Sequence, residues 1–302
     1  MRKRRRITVV EVGPRDGLQN ERVSVSTADK IALVDRLGAA GLPVVEVSAF
    51  VSPTWVPQMA DAEQVFAGII RRPGTRYTAL VPNLAGLERA QRAGVSDVAI
   101  FAASSETFSR KNINRSIDES FATYKDVCGA AQAAKIRIRG YLSTAFGCPY
   151  EGAVAAEKVA QLAARLVDLG VFEVAISDTI GVAHPGQVTQ VLDTVLPRVP
   201  AGRIALHFHD TRGTALANVL AALPYDISTF DASVGGLGGC PYAPGAAGNL
   251  ATEDLIYMLN GLDAETGVSL TMLSEASTFI GSRLDHPLPS RYAQAAAAAR
   301  RS

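Results

Sequence analysis

Short apolar runs alternate with longer amphipathic stretches along almost the whole chain. A run of about four to eight apolar residues bounded by turn residues is typical of a buried strand, whereas apolar positions three and four residues apart indicate a helix. Several of the short runs are apolar on both faces, as strands are when they lie between a packed interior and a layer of helices. The pattern predicts strands at residues 7–12, 44–47, 77–81, 97–101, 136–144, 172–177, 204–209 and 227–232.

Each predicted strand is followed by a predicted helix. Eight such pairs in about 250 residues match the size of a (β/α)8 TIM barrel, an α/β fold. An open, doubly wound sheet is the competing architecture, but no glycine-rich dinucleotide-binding turn follows the first strand, which favours the barrel. The predicted helices span residues 27–40, 60–70, 83–93, 117–134, 154–169, 185–196, 215–223 and 250–259.

No linker divides the chain, so residues 1–302 are predicted to form a single catalytic domain of the TIM-barrel type. Residues 1–6 form a basic tail that is expected to be solvated. Residues 264–302 are a C-terminal extension beyond the eighth pair. Within this extension, residues 270–283 are predicted to form an extra helix, and residues 295–302, rich in alanine and arginine, are expected to fray.

The composition narrows the class of protein. The 302 residues carry a net charge of +1 and are 48% hydrophobic and 20% charged, which is typical of a soluble globular protein. The near-zero charge argues against a nucleic-acid partner, and no segment approaches the roughly 20 apolar residues of a membrane span. Three widely spaced cysteines, Cys128, Cys148 and Cys240, predict reduced thiols in a cytoplasmic protein.

Four polar residues form a candidate metal site. His207 and His209 end the seventh predicted strand, and side chains two residues apart in a strand point to the same face. Asp16 follows the first strand and Asn249 follows the eighth. Strands one, seven and eight are neighbours in a closed barrel, so these residues can surround one ion. Imidazole, carboxylate and amide ligands together suit a divalent cation such as Mg²⁺ or Mn²⁺.

Barrel enzymes carry their chemistry at the carboxyl ends of the strands. Arg15 follows the first strand, Glu46 ends the second and Asp178 ends the sixth, so all three are candidate catalytic residues. Each also has a purely structural interpretation. Arg15 and Glu46 can be a buried ion pair, and Asp178 can be a residue of a strand-to-helix turn. Asp16 can likewise cap a turn, and Asn249 can cap a helix.

A glycine-rich loop at residues 235–249 links the eighth strand to its helix. Long loops of this kind in compact domains are usually functional or disordered. Its predicted position above the barrel mouth suits a lid that closes on substrate and expels water. Cys240, at the centre of the loop, would then reach the site only on closure. The alternative interpretation is a flexible connector with an incidental thiol.

Several long motifs resemble those of the 3-hydroxy-3-methylglutaryl-CoA (HMG-CoA) lyase family, which belongs to a superfamily of metal-dependent barrels. The resemblance runs from about residue 7 to about residue 282. The motifs that carry it are VGPRDGLQNE at 12–21, FVSP at 50–53, WVPQM at 55–59, SDTIG at 177–181, HFHDT at 207–211 and GGCPY at 238–242.

The resemblance implies cleavage of the CoA thioester HMG-CoA to acetyl-CoA and acetoacetate by a homodimeric enzyme. Arg15 matches the arginine that stabilises the enolate, Glu46 and Asp178 match acidic residues of the site, and Cys240 matches the lid cysteine implicated in catalysis. Leucine degradation and ketone-body formation are both compatible pathways. The residues that match the ligands of the divalent cation, Mg²⁺ or Mn²⁺, are Asp16, His207, His209 and Asn249.

Two alternatives to this reaction stay open. Condensing enzymes of the same superfamily, which join acetyl-CoA to a 2-oxo acid, share the Arg-Asp-Gly and His-x-His elements, although the GGCPY motif favours the lyase. Ser177 stands where many lyases have glycine, and Arg212 stands where many have tyrosine. Because both flank site residues, a longer 3-hydroxyglutaryl-CoA homologue is also a candidate substrate.

Overall fold

A closed barrel of eight parallel strands forms the centre of the protein. The computed structural model describes residues 4–239 and 248–299. Neighbouring strands in the barrel are also neighbours in the chain, and β1 pairs with β8 to complete the ring. The predicted TIM barrel is confirmed. The strands are β1 (Thr8–Glu11), β2 (Val44–Ala49), β3 (Arg76–Leu80), β4 (Asp97–Ala103), β5 (Arg137–Ser143), β6 (Glu173–Asp178), β7 (Ile204–Phe208) and β8 (Thr229–Ala232).

Helices surround the barrel and bury their apolar faces against the strands. In α1, for example, Leu33, Val34 and Leu37 are fully buried. No helix within residues 4–239 and 248–299 is both long enough and apolar enough to cross a membrane. The helices are α1 (Thr27–Ala39), α2 (Ala62–Gly68), α3 (Leu84–Arg92), α4 (Glu106–Ile113), α5 (Ile117–Ala133), α6 (Ala156–Asp168), α7 (Pro185–Val195), α8 (Ala215–Ala222), α9 (Thr252–Gly261), α10 (Leu270–Gly281) and α11 (Arg291–Ala299).

Helix α4 is absent from the sequence prediction. It begins after Ser105, whose hydroxyl accepts a hydrogen bond from the Phe108 amide, and ends at Asn114 in the left-handed conformation. Only Phe108 and Ser109 of this helix are buried. A helix with so little buried surface has no apolar stripe, which is the signal that periodicity detects.

Helix α9 starts two residues later than predicted, because the preceding segment is extended. Asn249 forms an isolated antiparallel bridge with His209, and Ala251 forms a parallel bridge with Ser233. The chain therefore runs beside the ends of β7 and β8 before it turns into α9. This extended approach places Asn249 directly beside His209.

The C-terminal extension contains two helices rather than one. Helix α10 confirms the predicted extra helix. Helix α11 continues to Ala299, and the expected fraying of the tail stays a prediction. The Asp254 carboxylate accepts hydrogen bonds from the amides of Arg291 (3.0 Å) and Tyr292 (2.8 Å), which satisfies free donors at the start of α11.

One layer of the barrel interior is ionic. Arg139 on β5 binds Asp231 on β8 through both terminal nitrogens, at 3.0 and 2.7 Å, and binds Glu173 on β6 at 2.8 Å. Strands β5 and β8 are not neighbours, so the first of these pairs spans the interior. Branched apolar side chains usually fill this space in TIM barrels. The charges are tolerated because each is paired and hydrogen-bonded.

Two fully buried glutamates hold the end of β1 against the turn that follows β8. Glu11 accepts hydrogen bonds from the amides of Gly13 and Val234 and from the Thr252 hydroxyl, at 2.7–2.8 Å. Glu253 accepts the Gly235 amide through both carboxylate oxygens. Burial raises the pKa of Glu11 to about 7 and that of Glu253 to about 8.

These raised pKa values predict that the protein loses stability as the pH rises. Between pH 4.5, the ordinary pKa of glutamate, and about 8, the folded protein holds a proton on Glu253 that the unfolded chain releases. The Glu253→Gln variant cannot ionise, so its melting temperature should decline less than that of the wild type across this range. Thermal melts at several pH values measure the difference.

The exposed Glu275 on α10 provides the control, and Glu275→Gln should follow the wild-type curve. Parallel curves for the wild type and Glu253→Gln would contradict the prediction.

Candidate active site and metal centre

A π-helical turn at Gly13–Gly17 carries Arg15 and Asp16 at the mouth of the barrel. The amides of Arg15, Asp16 and Gly17 all donate to the Val12 carbonyl. A Cβ atom at Gly17 would lie 2.8 Å from the Leu237 Cβ, so glycine is needed for the close approach to the segment after β8. π-Helical turns are rare in proteins, and those that occur are often found at functional sites.

Asp16, His207 and His209 form a cluster whose potential ligand atoms all lie within 4.8 Å of one another. His209 Nε2 is 3.8 Å from Asp16 Oδ2. The Arg15 guanidinium holds the pKa of the Asp16 carboxyl well below its usual range, although burial acts in the opposite direction. Asp16 is therefore an anionic group beside two imidazoles.

Asn249 completes this cluster. Its amide nitrogen donates to Asp16 Oδ2 at 2.9 Å and to the Leu237 carbonyl at 3.1 Å. Its amide oxygen, Oδ1, is buried and has no hydrogen-bond partner among the described residues. An unpaired buried acceptor is costly, and a bound cation would satisfy it. One carboxylate, one amide oxygen and two imidazoles therefore fit Mg²⁺ or Mn²⁺.

Arg15 is rigidly oriented next to this cluster. Its Nε and Nη2 atoms donate to the two oxygens of Glu46 at 2.9 and 3.1 Å, and Nη1 donates to Asp16. The guanidinium carbon lies over the Tyr141 ring, 5.3 Å from the ring centre, and the Tyr141 hydroxyl donates a hydrogen bond to Glu46. Arg15 and Glu46 are thus the buried ion pair that the sequence allowed, and Arg15 also faces the cavity at the barrel mouth.

That cavity has a volume of about 570 Å³ and runs from the cluster to the protein surface. Arg15, Asp16 and both histidines lie at its inner end. Its outer walls come from the loop after β2 and from α4, and include the 83% exposed Trp55. A cavity of this volume is within the range of small-molecule sites.

A model of the HMGL-like family matches residues 6–280. The chain belongs to the HMGL-like family. The mitochondrial hydroxymethylglutaryl-CoA lyase of Rattus norvegicus is 54% identical over 291 residues, which cover 96% of this chain and 90% of the relative. The cytoplasmic 3-hydroxy-3-methylglutaryl-CoA lyase of the same species is 50% identical over 294 residues, with coverage of 97% and 86%.

Solved structures agree with this assignment. The hydroxymethylglutaryl-CoA lyase of Pseudomonas aeruginosa superposes with a TM-score of 0.96 at 51% identity, covering 99% of this chain and 100% of that one. An Acinetobacter baumannii HMG-CoA lyase in complex with coenzyme A and 3-methylmalate superposes with a TM-score of 0.92 at 39% identity. The match covers 96% of this chain and 95% of that one. The resemblance is confirmed, and this member of the HMGL-like family is a lyase.

Asp178, a predicted catalytic residue of this HMGL-like protein, does not line the cavity. Asp178 is fully buried, and its two oxygens accept the amides of Val182 (3.0 Å) and Ala183 (2.9 Å). These contacts are those of a strand-to-helix turn residue, and burial raises its pKa. Ser177 and Thr179, on either side of it, line the cavity instead.

Cys240 and most of the predicted lid lie outside the described residues. Gly239, the last described residue before this gap, lines the cavity. The described cysteines, Cys128 and Cys148, are buried and form no disulfide.

Sequence reasoning missed two residues of the site. Tyr141 orients Arg15 and lines the cavity, and Asp231 contacts His207 from β8. A detectable signal exists for Asp231, because it is a charged residue inside a strand predicted to be buried. Tyr141 carries no such signal, since an aromatic residue is common in a strand.

The paired geometry of Arg15 predicts that charge alone is insufficient at this position. Lysine cannot donate to both Glu46 oxygens and also present planar donors to the cavity. The Arg15→Lys variant should therefore lose about 10²–10³-fold in kcat for carbon–carbon cleavage, as loss of an oxyanion donor does. Steady-state kinetics measure the loss, and circular dichroism checks that the variant folds.

Arg283→Lys is the matched control, because Arg283 pairs with Asp29 on the protein surface. Near-normal turnover by Arg15→Lys would show that the fork geometry is unimportant.

Proposed function

We propose that this protein cleaves 3-hydroxy-3-methylglutaryl-CoA to acetyl-CoA and acetoacetate and that it needs Mg²⁺ or Mn²⁺. The observation that carries the proposal is the cluster of Asp16, His207 and His209 beside Arg15 at the inner end of an open cavity. The relatives named as HMG-CoA lyases support the substrate, and the relative solved with coenzyme A supports a CoA thioester.

The residues that would hold the ion are Asp16, His207, His209 and Asn249. The unpaired Asn249 Oδ1 supports its inclusion. When bound, a divalent ion in such a site would lower the pKa of a hydroxyl group that contacts it and would fix the position of that group. The tertiary hydroxyl of the substrate is the group that must lose its proton before the carbon–carbon bond breaks.

Arg15 stabilises the departing thioester enolate. Three of the five N–H groups of its guanidinium are used by Glu46 and Asp16, which leaves two for an oxygen bound in the cavity. Glu46 and Tyr141 act as positioning residues, because they fix the plane of the guanidinium. Preorganised donors of this kind act where negative charge develops, without reorganising during the reaction.

Asp178 acts through the turn that it holds. Because both its oxygens accept backbone amides, we assign to it the placement of Ser177 and Thr179 rather than the first proton transfer. Cys240 then remains as the candidate proton carrier, on the basis of the GGCPY motif. A thiol close to a cation or an arginine has a lowered pKa and exchanges protons readily.

The Cys240→Ser variant should therefore lose about 10²–10⁴-fold in kcat, because a serine hydroxyl is a far weaker acid than a thiol. The rate of acetoacetate release measures the effect. Cys128→Ser serves as the control, since Cys128 is buried on α5 and is not among the residues that line the cavity. Wild-type turnover by Cys240→Ser would remove the cysteine from the mechanism.

The decisive test is a coupled assay of HMG-CoA cleavage with and without Mg²⁺ or Mn²⁺. We expect metal-dependent release of acetoacetate by the wild type and a loss of at least about 10²-fold in His207→Ala, which removes one ligand. His184→Asn is the control, because His184 caps helix α7 outside the cavity lining and asparagine preserves a capping side chain.

A folded, metal-bound protein that fails to cleave HMG-CoA would overturn the proposal. A longer 3-hydroxyglutaryl-CoA homologue would then be the next substrate to assay, because Ser177 faces the cavity. Arg212 bears less on the substrate, since it is exposed and donates to the carbonyls of Ile180 and Gly181 outside the cavity lining.

We also propose that the protein is a homodimer in the cytoplasm. The family resemblance supports the dimer, and the free thiols of Cys128 and Cys148 support a reducing compartment.

A further inference from the structure

The two histidines of the cluster differ in what holds their imidazole rings. His207 Nδ1 lies 3.2 Å from Asp231 Oδ2, and both side chains are buried. His209 Nδ1 is also buried but has no hydrogen-bond partner among the described residues. Among the described residues, His207 is therefore the one of the two with a carboxylate at Nδ1, whereas the carboxylate near His209 is that of Asp16, 3.8 Å from its Nε2 on the cluster side.

The partner of His207 is itself firmly held. Asp231 lies opposite His207 in the register of β7 and β8, so the backbone brings the two side chains together. Arg139 binds both oxygens of Asp231 and also donates to Glu173. Its guanidinium carbon lies over the Tyr141 ring, 4.9 Å from the ring centre. The carboxylate cannot turn away from His207 without breaking a bidentate ion pair.

We propose that Asp231 is a positioning residue: it accepts a hydrogen bond from the Nδ1–H group of His207 and so directs the unprotonated Nε2 toward the cluster with Asp16. The inference rests on the proposed metal site. A neutral imidazole has one N–H group and one lone pair, so a carboxylate that binds the first presents the second to a cation. Arg139 keeps the acceptor in place from the opposite side of the barrel interior.

The first test reads the tautomer directly, in metal-free protein labelled with ¹⁵N at histidine. The chain has four histidines, and the signal lost in His207→Gln identifies His207. In the neutral form of its ring, we expect His207 to carry the proton at Nδ1. A Nε2-protonated ring, or an even mixture of the two tautomers, would overturn the proposal.

The second test measures the dissociation constant for Mn²⁺ by electron paramagnetic resonance in Asp231→Asn. Asparagine has one acceptor oxygen for both His207 and Arg139, and its amide group must face a donor. We expect about 10–100-fold weaker Mn²⁺ binding, as for other partners of metal-binding histidines.

Asp97→Asn is the matched control. Asp97 on β4 is also buried and pairs with Arg76 at 3.3 Å, but its strand is not a neighbour of β7. Equal Mn²⁺ affinities for the two variants would refute the role of Asp231.

The two tests separate this inference from the proposed function. A wild type that binds no Mn²⁺ would refute the metal site, whereas the tautomer of His207 still reports on Asp231 alone. If Asp231→Asn does not fold, the tautomer measured in the wild type decides the question.

Discussion

The pairing of β1 with β8 is the constraint on which the rest of the structure depends. Four residue pairs, from Thr8 with Thr229 to Glu11 with Ala232, close the barrel. This closure brings the turn after β1 against the segment after β8, and Asp16 reaches Asn249 across 233 positions of sequence. Glu11 reinforces the closure by accepting two amides and one hydroxyl from both sides of it. Without this seam, no complete cluster exists.

Buried charge extends from the barrel interior to its mouth. Glu173, Arg139 and Asp231 form one paired series that ends at His207, and Glu46, Arg15 and Asp16 form a second. Removing one member of such a series leaves an uncompensated buried charge, which typically costs about 3–5 kcal/mol. Both series end in the same cluster, so the ionic interior supports the site rather than adding stability by itself.

Tyr141 connects the two series. The guanidinium carbons of Arg15 and Arg139 lie 5.3 and 4.9 Å from the centre of its ring, and the ring meets that of His207 edge-on. An aromatic ring attracts cations at its faces and packs tightly against its neighbours. The orientation of Arg15 at the cavity is thereby tied to that of His207.

The sequence by itself determined the barrel and named most of the residues of the candidate site. A repeat of two residues in strands, or of about 3.6 in helices, is a local property of the sequence, so the eight strands and the helices after them were predictable. The polar side chains at the strand ends could be identified in the same way. Tertiary structure decided the rest. The ion pair of Arg139 with Asp231 depends on the register of the strands. The hydrogen bonds of Asp178 with the amides of Val182 and Ala183 depend on the conformation of the loop after β6. Residue spacing encodes neither of these properties. Helix α4 was not predicted, because it buries only two residues and its sequence therefore has no apolar stripe.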